Sequence, residues 1–382
     1  MRTRLSVRAG AVAFVMLLPL WALLLAAQVP SGTKSFDPKA VDPQASIKAA
    51  IEAAKAEAAS NFTAPKTSWG DPDLRGYYLV ATYTPLQRPA ELGDKEFYTE
   101  QEAADAFSKA VEADAAVDPR NVHYDWKEYG MDAWQSGVRP NLRTSLIVEP
   151  RDGRIPPLTP EAEQRRAERA ARTQARSPEI GVKTLQSFYT RCIMGNSGGA
   201  PLVRGGNVAS ASAVGSAGGV TAEFQVVQAS AYVVIITESN SDARIIPLDR
   251  RPHLPAKVRT WLGDSRGHWE GNTLVVETTN FNDKAPGTNY QGSTDSLSLV
   301  ERFTLVGPKS LRYQYTVTDP RTWTKPWSVD SVVPRIDPPL YEFACHEQNY
   351  GVMNVVKGAQ VREAQLAAKG GARPAAARGG EN

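Results

Sequence analysis

Residues 297–319 read LSLVERFTLV, then GPK, then SLRYQYTVTD, and this stretch decides the fold class. In its second half Leu311, Tyr313, Tyr315 and Val317 alternate with Arg312, Gln314, Thr316 and Thr318. A period of two places the first set on one face of a strand and the second on the other. Gly307-Pro308-Lys309 breaks the run, so the two halves are predicted to form a hairpin. Alternation joined by short turns belongs to antiparallel sheet with one dry face.

The same signals recur upstream. Thr144–Glu149 reads as a strand followed by the turn Pro150-Arg151-Asp152-Gly153, and Phe224–Glu238 as one long strand. Arg244–Leu248 is a further strand, and Gly271-Asn272 forms a two-residue loop between strands at 267–270 and 273–281. Seven or eight strands with no helix between 224 and 333 predict a mainly β fold, an antiparallel β-barrel or β-sandwich, with a calycin-like barrel favoured. Helices decorate its N-terminal side. Residues 46–59 are Ala-rich and predict a helix. A second begins at Thr99, where Glu102 completes a capping box and Phe107, Ala110 and Val111 supply the apolar face. A third has Thr159 as N-cap and Pro160 in the first position. Its arginines alternate with Glu161, Glu163 and Glu168, which predicts a solvated helix and not a nucleic-acid reader.

The 382 residues are 42% hydrophobic and 22% charged, a globular composition. Arg2, Arg4 and Arg8 precede an uncharged run, Ala9–Ala27, which predicts a secretory signal peptide cleaved after Ala27, or a single-span anchor if uncleaved. The rest of the chain is then periplasmic or secreted. Removing residues 1–27 takes three arginines from the 44 basic residues and none from the 41 acidic ones, so the mature signs balance. That balance predicts neither a nucleic-acid partner nor membrane contact outside residues 9–27. The division of the chain is 1–27 signal or anchor, 28–68 linker and Ala-rich helix, 69–191 helical and strand decoration, 192–360 antiparallel β domain, and 361–382 disordered tail. A Gly/Ala/Ser stretch at 195–220 reads as a mobile loop. Cys192 and Cys345 are the only cysteines and, in an exported chain, predict one disulfide.

Several enzyme motifs fail on context. Gly195–Gly199 resembles the nucleophile segment of trypsin-like proteases, but Ala200 interrupts it and only His123 lies upstream. Gly263-Asp264-Ser265-Arg266-Gly267 fits G-x-S-x-G, yet leads into a hairpin where a nucleophile elbow needs a helix. Tyr350 stands where H-E-x-x-H needs its second histidine after His346-Glu347. No metal and no cofactor are predicted. What remains is a polar cluster of Asp249, His253, Asp264, Ser265, His268 and Glu270, interleaved with Trp261 and Trp269. Glu301 falls on the apolar face of its strand, where a carboxylate must be paired, protonated or functional; Arg244 and Arg302 are its possible partners. Glu238 is similar at a strand end. The expected catalytic set is Asp264, His268, Glu270, Glu301 and His346, with Trp261, Trp269 and Glu347 binding ligand.

Five blocks read together extend this. They are Trp69–Gly76, Arg143–Pro150, Arg244–Asp249, Gly263–Val276 and Cys345–Tyr350. They resemble a family of uncharacterised exported bacterial proteins over about 300 residues. The resemblance implies export and a β-rich fold and carries no catalytic residue; the chain departs from the family in a longer Gly/Ala/Ser loop. The leading functional expectation is an exported protein that binds a small hydrophobic or carbohydrate-like molecule in a barrel cavity, or converts it by non-hydrolytic acid/base chemistry. The alternatives are a serine hydrolase using Ser265, and a structural or envelope-interaction protein without catalysis.

Overall fold

In the computed structural model, the described residues are 48, 49, 52, 55, 56, 62–80, 82–115, 142–174, 191–193, 199–203, 223–238, 241–282, 292–337, 340–347 and 349–368. The expected signal peptide, the mobile loop apart from 199–203, and the disordered tail beyond 368 lie outside them. Of the Ala-rich helix only residues 48, 49, 52, 55 and 56 are described, and they are helical.

Ten strands form one antiparallel sheet: β1 (Gly76–Leu79), β2 (Ile147–Glu149), β3 (Glu223–Gln228), β4 (Tyr232–Thr237), β5 (Ala243–Pro247), β6 (Asp264–Glu270), β7 (Thr273–Thr279), β8 (Ser298–Gly307), β9 (Ser310–Thr318) and β10 (Trp327–Ile336). Their order is β5-β4-β3-β1-β10-β9-β8-β7-β6, with β2 alongside β10. The chain is mainly β, as the alternation predicts. Leu311, Tyr313, Tyr315 and Val317 are all buried, and the β6–β7 hairpin closes with Glu270 opposite Thr273 and Gly271 at a φ of +60°. That left-handed conformation suits a glycine.

Among the described residues no ladder joins β5 to β6, so hydrogen bonds do not close the sheet into a barrel. The sheet nevertheless curls far enough for its two margins to touch. A Cβ added to Gly267 on β6 would come 2.8 Å from Ile246 Cγ2, on β5 at the other end of the order, and 2.9 Å from Leu248 Cδ2. The core lies on the concave side and includes Phe224, Ile235, Ile246, Leu274, Phe303 and Trp327. Aromatic rings run through it. Phe303 and Tyr313 are 4.9 Å apart, Tyr313 and Tyr315 5.6 Å, and Tyr315 and Trp327 6.3 Å between centroids.

Three expectations about strands change. Residues 224–238 are two strands, because Ala229 and Tyr232 exchange backbone hydrogen bonds (2.9 and 3.4 Å) around Ser230-Ala231. Of the two turn residues only Ser230 favours turns, and only weakly, so little in the sequence marks the break. The strand expected at 144–149 shortens to 147–149. Thr144 N–H donates to Glu96 O and Leu146 N–H to Pro85 O, so those groups serve loops and not the sheet. Finally β1, from the stretch expected as helical and strand decoration, sits mid-sheet between β3 and β10.

Helix α1 (Glu100–Ala115) carries the expected capping box in both directions. Glu102 N–H donates to Thr99 Oγ1 at 3.2 Å, and Thr99 N–H to Glu102 Oε2 at 2.8 Å. Phe107, Ala103 and Ala104 form a small separate core with Tyr83, Tyr98 and Leu142. Helix α2 (Pro160–Gln174) starts with Ala162 N–H on Thr159 Oγ1. Helix α3 (Tyr350–Ala368) follows the sheet.

The disulfide is formed as expected. Cys192 and Cys345 are bonded at 2.05 Å with Cα atoms 5.6 Å apart, tying the segment before β3 to the segment after β10. It is compatible with an extracellular or periplasmic protein. Among the described residues no helix is long and apolar enough to cross a membrane.

Candidate functional site

Strand parity separates the expected catalytic residues. On β6 the even positions Asp264, Arg266, His268 and Glu270 share the convex face, while Ser265, Gly267 and Trp269 share the concave one. Glu301 on β8 alternates with Val300 and Arg302 and points to the concave side with Leu299 and Phe303. Glu301 therefore cannot join Asp264, His268 and Glu270 in one site. Asp264 and His268 share a face but lie four residues apart, roughly 13 Å along a strand.

Each of these residues has local partners. Asp264, 6% exposed, accepts Leu254 N–H at 2.9 Å, lies 2.9 Å from His253 Nδ1, and pairs with Arg266 at 2.6 Å. Among the described residues His253 Nε2 has no hydrogen-bond partner; it stands 4.0 Å from Glu277 Oε2. His268 Nε2 is 3.2 Å from Glu270 Oε1, and Glu270 pairs with Arg302. That pairing removes Arg302 from the candidate partners of Glu301 and depresses the Glu270 carboxyl, chiefly through the Arg302 hydrogen bond and then through His268. Asp249 is exposed and bound by Arg251, whose hydrogen bond lowers its pKa. His346 and Glu347 are exposed beside the disulfide. Trp261 is 42% exposed.

Ser265 is 3% exposed within β6, and its Oγ is 2.9 Å from Thr278 Oγ1 on the facing strand. A hydroxyl bonded inside a sheet has neither the turn nor the exposure of a hydrolase nucleophile. Among the described residues no group of three or more His, Cys, Asp or Glu could hold a metal ion.

The strongest polar constellation is on the concave side. Glu301 is fully buried, and the Arg244 guanidinium grips it with Nη1 at 2.6 Å from Oε2 and Nη2 at 3.1 Å from Oε1. Tyr313 O–H donates to Oε1 at 2.7 Å. Arg244 comes from β5 and Glu301 from β8, so this bidentate pair spans the curled sheet. Burial, followed by the Glu301 charge, pushes the Tyr313 phenol well above its ordinary range. The phenol oxygen also accepts Leu202 N–H at 2.9 Å, and Tyr315 O–H donates to Val203 O at 2.8 Å. Residues 199–203 are thereby strapped onto the concave side, with Ala200, Leu202 and Val203 buried. Two buried donors near this core, Arg244 Nε and Trp269 Nε1, have no hydrogen-bond partner among the described residues.

Sequence reasoning identifies Glu301 and offers Arg244 as its partner. It misses Tyr313, which reads only as an apolar-face residue, and the strap at 199–203. It also misses Arg88, 3% exposed, whose guanidinium reaches Thr144 Oγ1 and the carbonyls of Gly93 and Arg151. Two of its three partners, Thr144 and Arg151, are 56 and 63 positions away, so little in the local sequence announces the cluster. No family model and no curated protein matches the chain.

Proposed function

We propose that this is an exported protein whose curled sheet works as a calycin-like barrel, holding a small apolar or carbohydrate-like molecule without converting it. The observation that carries the reading is the pair of buried donors without acceptors among the described residues, Arg244 Nε and Trp269 Nε1. A buried donor without a partner is costly, and a ligand oxygen is a natural acceptor for it. On this reading the buried rings of Phe303, Tyr313 and Tyr315, packed at 4.9 and 5.6 Å, are the apolar surface next to the bound molecule.

Binding is favoured over acid/base conversion because Glu301 is already neutralised by Arg244 and hydrogen-bonded by Tyr313. A general base needs a free lone pair within reach of the substrate proton. Asp264, His268 and Glu270 are spread over the opposite face. The test is incubation of the purified protein with a metabolite and lipid extract, followed by mass spectrometry of what co-elutes. A specific small molecule that is lost in Trp269→Phe supports the reading; an extract profile identical to that of a control protein refutes it. In that second case the packed ring column and the strap favour the envelope-interaction protein.

A further inference from the structure

Hydrogen bonding on the concave side is lopsided. Among the described residues Arg244 Nε and Trp269 Nε1 are buried without a partner, and both are N–H donors. The oxygens of the same side already have partners. Glu301 Oε2 takes Arg244 Nη1, and Oε1 takes Nη2 and the Tyr313 O–H. The Tyr313 oxygen accepts Leu202 N–H, Tyr315 O–H donates to Val203 O, and Ser265 Oγ is bonded to Thr278 Oγ1.

Strand register brings the two donors to one region. Trp269, Leu274, Phe303 and Tyr313 lie side by side on β6, β7, β8 and β9. Glu301 is one same-face step from Phe303 on β8, and its carboxylate holds the Arg244 guanidinium. Two strand spacings and one such step separate Trp269 from Glu301, about 12 Å between Cα atoms. Nη1 and Nη2 both point at the carboxylate, so the fork is end-on and Nε–H stands clear of it. Trp269 packs against the core with its Nε1 inside.

This pattern selects among ligand chemistries. Two free donors call for acceptor oxygens on the ligand. A sugar also brings many hydroxyl donors, and these would enter a side whose oxygens are already engaged, which leaves them desolvated without acceptors. A carboxylate brings acceptors only, but it brings a charge as well. Arg244 and Glu301 are 4% and 0% exposed and already neutralise each other. A second carboxylate there would put two negative charges on one guanidinium away from water. A carbonyl or ether oxygen on an apolar chain accepts both N–H groups and adds neither donor nor charge.

We propose that the concave side takes an uncharged molecule with an apolar chain and a carbonyl or ether oxygen, an ester or ketone in kind, and discriminates against carboxylates and sugars. This rests on the binding reading above and narrows it to one ligand class. Arg244 Nε and Trp269 Nε1 are the groups that recognise the oxygen, and the rings of Phe303 and Tyr313 border the chain.

The test is nitrogen-edited NMR of the purified protein, disulfide intact, titrated with methyl decanoate, decanoate and octyl glucoside, each below its micellar concentration. Methyl decanoate should move the assigned Trp269 indole N–H and Arg244 Nε–H signals downfield. Decanoate and octyl glucoside should bind roughly tenfold more weakly or worse, the effect of one charge or hydroxyl left without a partner. Decanoate or octyl glucoside binding as tightly as the ester would overturn the proposal and leave the binding reading standing. Ester binding that moves neither signal would overturn it too, because the molecule then lies elsewhere. Failure of all three probes to bind also overturns it, and the co-elution experiment then decides the binding reading separately.

Discussion

The Arg244–Glu301 pair gives the sharpest test of how the sheet is held. Its side chains are 4% and 0% exposed, so water reaches neither partner. Glu301→Gln preserves shape and keeps an acceptor for Tyr313, but it removes the charge. An arginine cannot shed its proton in a protein, so the guanidinium is left charged, buried and facing an amide. Breaking a buried pair on one side costs about 3–5 kcal/mol, a large part of the roughly 5–15 kcal/mol that holds a domain together. Adding Arg244→Met removes the orphaned charge, and replacing both partners of such a pair is often close to neutral. Urea unfolding followed by circular dichroism, with the disulfide intact in all samples, should therefore show Glu301→Gln losing about 3–5 kcal/mol and the double variant recovering more than half of that. The reasoning is refuted if Glu301→Gln costs less than about 1 kcal/mol, or if the double variant loses as much as the two single variants together.

Other predictions follow from the same structure. Lys95 and the Thr99 N–H hold the Glu102 carboxyl down at about 2 from an ordinary 4.5, so its help to the start of α1 is complete above 4.5 and disappears as pH falls through 2; an NMR titration of Glu102 with a midpoint near 4.5 would contradict this. Burial raises Tyr78 to about 12 and also holds Tyr313 well above the ordinary phenol range, so stability should decline once pH rises past 10, where the unfolded phenols ionise and the folded ones do not. Ultraviolet titration should show these two tyrosines ionising only with unfolding. A fluorophosphonate probe should leave Ser265 unlabelled in the folded protein, because the hydroxyl is buried and bonded to Thr278; stoichiometric labelling there would revive the hydrolase. Cys192→Ala/Cys345→Ala opens a loop of 153 residues and should cost about 2–5 kcal/mol in urea unfolding; an unchanged midpoint would contradict it.

The sheet is legible where period-two alternation meets a turn residue. Residues 264–279 and 298–318 form their hairpins with Gly271 and Gly307-Pro308-Lys309 as the marks. The capping box at Thr99 and the N-cap at Thr159 are legible because the interacting groups lie within three residues of each other. The disulfide needs only the count of two cysteines and the compartment. The break at Ser230-Ala231 is hard to read because a lone serine is a weak turn mark and alanine is none. The candidate site fails for a different reason. Asp264, His268, Glu270 and Glu301 are dense in sequence, but strand parity sends the first three to one face and the fourth to the other. The Arg244–Glu301 contact and the Tyr313–Leu202 bond join residues 57 and 111 positions apart, and only the curl of the sheet brings them together.

That curl is the claim on which the ion pair, the strap and the interior reading all depend. It is tested most directly by a methyl–amide nuclear Overhauser measurement on the folded protein. The account predicts a strong cross-peak between the Ile246 methyl groups and Gly267, joining β5 to β6 across the two margins of the sheet. Assigned Ile246 methyl signals with no contact to Gly267 would mean an open sheet, and would contradict it.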